Sequence, residues 1–521
     1  MNLCSSRMVF LWTLLTALLL TGWCIFAFLK LPQIIRSQVH KNIELVNNTK
    51  QWERFLELPF PINFTIRLFQ VTNTDDILKG ALPKLTESHP YTYKLSLKKK
   101  NLHFDDPDED SVTYKREFIL KFDNSGPANE NDKITIVNPL LMSALQIVSS
   151  IERLPLAGCL DRILGPSEMN KTFITKPVRQ LLFDGIPFAF RNTSNMGFAC
   201  EVVRQGMIER VKNVRVIEHV NDDPDNDYLR LAIFNYKTEN YLKDSPDGLY
   251  TINRGIKDMT ELGNIMRWNG ASSLSTYGTK ESTNNNTCHS LRGTDSTIYR
   301  PMVTKDDEII IYNTDICRTV SLTFVSSTET YNGIKAFRYE TADNFLRPST
   351  SAAERDCYCT KKTKDDKEKD SCFLDGVLDF YPCVGVPLLL SQPHFLNADK
   401  KYLSGVTGLS PNKQNHGIHL LLEPNTGTPL QGRKRVQVNS VFRSEPFLSF
   451  LTPSTMHHGV IPILWIDETV DLPQKYVNEL NNQYFKIVKI ITGLKYGLIG
   501  VFSALFVVCL FFIFRKVYLK K

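Results

Sequence analysis

The chain has 521 residues, 42% of them hydrophobic and 22% charged, and its 62 Lys and Arg against 55 Asp and Glu leave a net charge of +7. So small a basic excess over so long a chain gives no electrostatic footprint for nucleic acid. Its eleven cysteines and two long uncharged runs say more than its charge does.

Val9 to Leu29 is a run of 21 residues without a charge, rich in Leu, Phe and Trp. About 20 apolar residues in a helix cross the hydrocarbon core, and in lipid only a helix satisfies its own backbone. The competing reading is a cleaved signal peptide. The run exceeds the roughly 7–15 residues of a signal's apolar region, and no small-x-small cleavage site follows. It reads as an uncleaved anchor at 9–29, behind a short tail at 1–8.

Residues 30–495 are long enough for a large core or two domains. Phe64, Ile66 and Leu68 alternate with Thr65, Arg67 and Phe69; Phe118, Leu120 and Phe122 alternate likewise, and Val436 and Val438 flank Gln437. Period-two runs punctuated by Pro, Gly, Asn and Asp predict an antiparallel, β-rich body. One stretch departs from it. After Pro139, Leu141, Ala144, Leu145, Val148 and Ile151 recur at helical spacing, and a second helix is predicted near Pro177 with Leu181 and Leu182. Residues 138–184 are therefore a helical insertion. The charged stretches Lys98–Lys100, Asp105–Asp110 and Lys361–Asp370 read as solvated loops or hairpin tips.

Tyr496 to Phe514 is the second apolar run, closed by Arg515 and Lys516. A buried core helix is the alternative, and all-round hydrophobicity with a basic end argues against it. Arg515, Lys516, Lys520 and Lys521 place the 515–521 tail in the cytosol. Charge leaves the first span ambiguous, because only Arg7 and the free amine precede it while Lys30, Arg36 and Lys41 follow.

Cysteine usage resolves the ambiguity. Cys4, Cys24 and Cys509 lie in or beside the spans, and the other eight (Cys159, Cys200, Cys288, Cys317, Cys357, Cys359, Cys372, Cys383) lie between them. An even set, crowded into the second half, reads as a disulfide framework in an oxidising compartment. Metal binding is the competitor, but Cys357-Tyr-Cys359 lacks zinc-knuckle spacing and has no paired His. Sequons at Asn47, Asn63, Asn170, Asn192 and Asn285 also fall between the spans. The reading is a cell-membrane protein with two spans, both termini cytoplasmic and the intervening loop outside or luminal.

No enzyme signature is present: no His-Glu-x-x-His, Gly-x-Ser-x-Gly, phosphate-binding loop or dinucleotide fingerprint. His394 is the most tempting isolated residue, but no nucleophile pairs with it in the sequence, so a structural histidine is the better reading. No metal or cofactor is expected. The residues say receptor or adhesion protein rather than enzyme, with a membrane-anchored ectoenzyme as the alternative.

The layout and a series of short strings resemble the class B scavenger receptors. Phe69-Gln-Val-Thr-Asn-Thr and Pro90-Tyr91-Thr92-Tyr93 come first, with His89 where the family turn has glycine. Asp315-Ile316-Cys317-Arg318, Cys357-Tyr-Cys359, Pro393-His394-Phe395 and Gly408-Leu-Ser-Pro-Asn412 follow. Glu423-Pro-Asn-Thr-Gly427, Lys434-Arg435-Val-Gln-Val-Asn439 and Pro462-Ile-Leu-Trp465 complete the series. Gly293-Thr-Asp-Ser-Thr297 is similar to the insect sensory neuron membrane proteins of that family.

The resemblance implies an α+β fold: an antiparallel β-barrel-like ectodomain crossed by a lipid tunnel, with an apical helical bundle at 138–184 and one transmembrane helix at each end. It implies disulfides Cys288–Cys357, Cys317–Cys383 and Cys359–Cys372, and leaves Cys159 with Cys200. It implies a receptor or co-receptor that captures hydrophobic ligands, such as fatty-acid-derived odorants or pheromones, and passes them to the membrane or to an odorant receptor. A general scavenger receptor for lipids or lipoproteins is the alternative. Lys171 and Lys176 are the candidates to meet a ligand's carboxylate at the cap, and Cys4 is the candidate palmitoylation site.

Overall fold

A computed structural model describes residues 6–104, 110–147, 158–159, 162–164, 171–191, 196–211, 214, 216–221, 226–237, 247–277, 287–343, 345–347, 358–360, 362–367, 369 and 372–518. Cys4, Cys357, Asn170, Asn192 and Asn285 lie outside them. The chain divides into two compact units, one holding both terminal helical segments and the other running over Leu45–Tyr331 and Lys335–Asp471.

In the first unit, Ser6–Ile25 continues through a π turn at Phe26–Lys30 into Leu31–Ile43. The C-terminal segment runs from Gln474–Leu480 through a π turn at Asn481–Phe485 into Lys486–Tyr518. Each is long and apolar enough to cross a membrane. The two helices touch: Trp23 Nε1 donates to the Lys495 carbonyl at 3.2 Å, and the Lys495 ammonium lies 3.7 Å from the Phe28 ring centre.

The second unit is built on one large antiparallel sheet. In chain order its strands are β1 (Ile62–Val71), β2 (Leu85–Glu87), β3 (Tyr91–His103), β4 (Ser111–Phe122) and, after the cap strands below, β10 (Leu249–Asn253), β11 (Ile265–Trp268), β12 (Ile309–Asn313), β13 (Arg318–Tyr331), β14 (Ile334–Thr341), β15 (Val377–Asp379), β16 (Leu388–Ser391), β17 (His419–Glu423), β18 (Thr428–Phe442) and β19 (Gly459–Asp471). The main path runs β11-β10-β4-β3-β1-β19-β18-β17-β14-β13-β12.

The two ends of that path nearly meet, and Gly293 and Thr294 bridge them. Ile265 N–H of β11 donates to the Gly293 carbonyl at 2.8 Å. On the other side Thr294 N–H donates to Ile310 O at 3.0 Å, and Tyr312 N–H donates to Thr294 O at 2.9 Å. Only glycine fits the first position. Its φ is +85°, and a Cβ there would sit 2.2 Å from the Ile310 carbonyl oxygen. The string that resembles the sensory neuron membrane proteins is therefore the seam of the barrel.

Alternation behaves as expected on β1, where Phe64, Ile66 and Leu68 are buried. It fails on β18. Val436 and Val438 face a cavity, while Gln437, fully buried, accepts from His394 N–H at 2.7 Å and donates to Ser391 Oγ at 3.1 Å and Asn439 Oδ1 at 2.7 Å. β16 lies beside β18 in the ladder at this point, and the His394 turn covers the face that Gln437 presents. Pro462, which has no N–H to give the ladder, sits opposite Asn439 where the β18–β19 register slips.

The cap holds the hairpin β5 (Lys133–Val137) and β6 (Phe173–Pro177), the sheet β7 (Ile186–Arg191), β9 (Asn226–Leu231) and β8 (Ile217–Asn221), and helices at Pro139–Ile147 and Phe198–Val211. Asn138 caps the first helix: its Oδ1 accepts from Leu140 N–H at 3.1 Å, and its amide donates to Lys171 O at 2.7 Å. Phe173 packs on Phe442 of β18, and Phe183 on Tyr93 of β3, with ring centres 5.6 and 4.9 Å apart.

Two expectations need correction. Residues 138–184 are not wholly helical: β6 forms a ladder with β5, and a major cap helix, Phe198–Val211, lies beyond the expected range. Lys98–Lys100 is no solvated loop but part of β3, with the Lys99 side chain fully buried.

Candidate functional site

A cavity of about 730 Å³, counting its open side, lies inside the barrel. Its walls are apolar: Phe64 of β1, Leu388 and Leu390 of β16, Val436 and Val438 of β18, and Ile466 of β19. A second cavity of about 540 Å³ lies within the cap, between the Pro139–Ile147 and Phe198–Val211 helices and lined by Phe188, Leu231 and Val386. The two have adjoining walls. Val216 and Val384 face the barrel cavity, whereas Val214, Ile217, Gly385 and Val386 face the cap cavity.

The apolar wall of the barrel cavity is broken by one charged cluster. Strand periodicity puts Lys434 on the same face as Val436 and Val438, and the ladder places Lys434 directly opposite Glu468. The Lys434 ammonium stands 3.0 Å from Glu468 Oε2 and 3.0 Å from Asp315 Oδ2. Lys237, buried, reaches Asp315 Oδ1 at 3.5 Å and lies 4.3 Å from the Phe118 ring centre. Burial pulls the Lys237 ammonium below its ordinary value, against the pull of Asp315 and Glu468. Burial acts the same way on Lys434, but there Glu468 and Asp315 together outweigh it and raise the pKa. The Cys317–Cys383 disulfide pins the turn carrying Asp315 to the short helix carrying Val384.

A second polar centre is structural. Arg116 makes a two-point ion pair with Asp247 (2.6 and 2.7 Å) and also bonds Tyr250 OH and the Asp295 carbonyl. Asp295 accepts from Tyr114 OH at 2.8 Å and from Thr297 Oγ1 at 2.6 Å, and lies 3.5 Å from Lys99 Nζ. Burial lowers the Lys99 pKa to about 8 despite Asp295. Asp295 is held at about 2, since Lys99, Arg116 and the Thr297 bonds overcome the opposing effect of burial. This network anchors the Gly293–Thr297 seam.

Of the residues singled out in the sequence, Lys171 is exposed just before β6, and Lys176 is half-buried within it. Neither lines the two cavities. Disulfides join Cys159 to Cys200, Cys317 to Cys383 and Cys359 to Cys372. Cys288 is also disulfide-bonded, and its expected partner lies outside the described residues. Asn47 is exposed, and Asn63 is half-buried with its Oδ1 accepting from Lys94 Nζ at 2.7 Å. His394 has both ring nitrogens engaged, by Glu87 Oε2 at 2.7 Å and by Ser410 N–H at 3.1 Å.

The family model that matches this chain, the CD36 family, covers residues 13–513. The chain belongs to the CD36 family. Within it, the chain is similar to insect members over nearly its whole length. It is 29% identical to sensory neuron membrane protein 2 of Anopheles gambiae over 92% of this chain and 88% of the relative. It is 30% identical to sensory neuron membrane protein 1 of Pediculus humanus subsp. corporis, over 91% and 85%. It is also 30% identical to sensory neuron membrane protein 1 of Apis mellifera, over 91% and 84%. The CD36-family ectodomain here thus carries the charged cluster of its barrel cavity on two of the strings noticed in the sequence, Asp315–Arg318 and Lys434–Asn439. What the sequence did not show was that Lys237 and Glu468 join them. Glu468 could have been found from its place two residues beyond Ile466 on an alternating strand; Lys237 had no such signal.

Proposed function

We propose that this protein is a membrane-anchored lipid receptor or co-receptor. It takes hydrophobic ligands, including fatty-acid-derived odorants or pheromones, into its cavities and hands them to the membrane or to an odorant receptor. The single observation that supports this reading most is the pair of adjoining apolar cavities, one in the barrel and one in the cap. A long aliphatic chain gains about 0.8 kcal/mol for each methylene it buries there. No chemical step is required. In this reading both termini are cytoplasmic, Asn47 and Asn63 carry glycans, Cys4 is palmitoylated, and Lys171 and Lys176 attract anionic ligands at the cap.

The test is saturable binding of a fluorescent long-chain fatty acid by the purified full-length chain in amphipol. Leu390→Trp, which fills the barrel cavity, should reduce capacity or affinity at least tenfold while the protein remains folded. Lys171→Ala should slow association if that lysine attracts carboxylates. Absence of saturable binding by a correctly oxidised protein would overturn the lipid-handling reading.

A further inference from the structure

The cap cavity has a hydroxyl in its wall that the protein leaves unpaired. Leu140, Ser143 and Ala144 of the Pro139–Ile147 helix line that cavity, at the three- and four-residue spacing that puts side chains on one helix face, while Leu141 and Leu145 are buried in the core. Among the described residues the lining has two polar side chains, Ser143 and Arg210. Arg210 is half-buried and already engaged. Ser143 is only 6% exposed, and its Oγ has no hydrogen-bond partner. We infer that Ser143 is the hydrogen-bonding seat for the oxygen-bearing end of a long-chain aliphatic ligand (an alcohol, aldehyde, ester or acid), and that this end lodges in the cap. The inference rests on the lipid-cavity reading above and adds to it a ligand class and an orientation.

Buried polar groups nearly always find a partner, and a hydroxyl without one calls for an explanation. A serine inside a helix can find it close by, donating to the carbonyl four residues back. Ser143 does not use the Pro139 carbonyl in that way. The polar side chains at either end of the helix are satisfied. Asn138 bonds Leu140 N–H and Lys171 O, while Gln146 donates to Lys364 O at 3.1 Å and accepts from Lys364 N–H at 3.2 Å. The helix is thus held in place without help from Ser143, whose hydroxyl stands in a wall otherwise formed by Phe188, Leu231, Val386 and similar side chains. A hydroxyl both donates and accepts. It can donate to the oxygen of an aldehyde, ester or carboxylate, and can do either with an alcohol. The end of a hydrocarbon offers it nothing. A ligand oxygen taken out of water into the cap needs a partner as much as Ser143 does, and each supplies the other's. The apolar walls are left for the alkyl chain.

The test measures equilibrium binding of tritiated dodecanol and tritiated tridecane, which have equal numbers of heavy atoms, to the full-length chain in amphipol. Each ligand is compared between the native protein and Ser143→Ala, so that uptake by the amphipol, common to both, cancels. Alanine is the best helix former and removes only the hydroxyl. The variant should therefore fold and, without ligand, melt no lower than the native protein. Its dissociation constant for dodecanol should rise about fivefold, the worth of one neutral hydrogen bond, while that for tridecane stays the same or falls. A loss of dodecanol affinity no larger than that of tridecane overturns the seat while the lipid cavity stands. So does a ligand-free melting temperature several degrees below the native one, which would make Ser143 a structural residue. Absence of saturable dodecanol binding by the native protein overturns both.

Discussion

Acid should weaken the folded body through one histidine pair, and His416→Phe isolates the effect. The His394 and His416 rings lie parallel, with centres 4.2 Å apart, and Trp465 meets both rings edge-on. His416 Nδ1 accepts from Asn412 N–H at 3.0 Å. Burial, then the neighbouring His394, then Arg435 and Arg67 lower the His416 pKa to about 4, with Glu87 opposing them. The unfolded chain takes up this proton near pH 6.5 and the folded chain only near 4. Between those values the unfolded state binds more protons, so stability falls as the pH falls. At about 1.4 kcal/mol per pH unit, the part of this gap lying above pH 4.5 is worth about 3 kcal/mol. Phenylalanine keeps an aromatic stack and cannot be protonated, but it forfeits the Asn412 bond, about 1 kcal/mol. The variant should therefore melt slightly lower than the native protein at pH 7.5 and lose less on acidification. Thermal unfolding followed by tryptophan fluorescence at pH 7.5 and 4.5 measures both, and the native protein should lose several degrees more than the variant between them. Equal losses would refute the reasoning.

Gly293→Ala should open the seam: a Cβ 2.2 Å from Ile310 O at φ +85° forces the Gly293–Thr294 bridge out of register. A loss of about 2 kcal/mol or more is expected, read as a lower melting temperature and faster amide exchange at Ile265 and Tyr312. Arg116→Met should cost about 3–5 kcal/mol, because it strands the Asp247 carboxylate in the interior. The paired change Arg116→Met/Asp247→Leu should recover a large part of that loss in the same melting assay.

The outline of the fold was legible because burial and periodicity coincide. Phe64, Ile66 and Leu68 face inward at period two, and Leu141 and Leu145 are buried at helical spacing. Legibility ended where polar side chains are inside. Gln437 breaks the alternation of β18 because the His394 turn covers it, and Lys99 hides in a run of three lysines that looks solvated. The Phe198–Val211 helix carries buried Cys200, Val203, Met207 and Val211 at helical spacing, but Phe198 and Val202 point outward and buried Arg204 pairs with Glu201. Those exceptions blur its stripe. The cavity quartet draws on four separate segments between residues 237 and 468, and no local pattern joins them. Lys171 and Lys176 are the cap lysines to which the family resemblance points, whereas the cavity cations lie on the 3₁₀ turn Asn235–Lys237 and on β18.

The seam at Gly293–Thr294 also closes the barrel in a different way from the rest of the main sheet. Everywhere else around the main sheet a residue that shifts must drag a whole ladder of backbone bonds with it. Along β18 and β19 that ladder runs for a dozen paired positions. At the seam the circumference is completed by a short stretch of loop, held by single bonds to Ile265, Ile310 and Tyr312. It works like the clasp on a bracelet: the links keep their length, and the fit is set at one place.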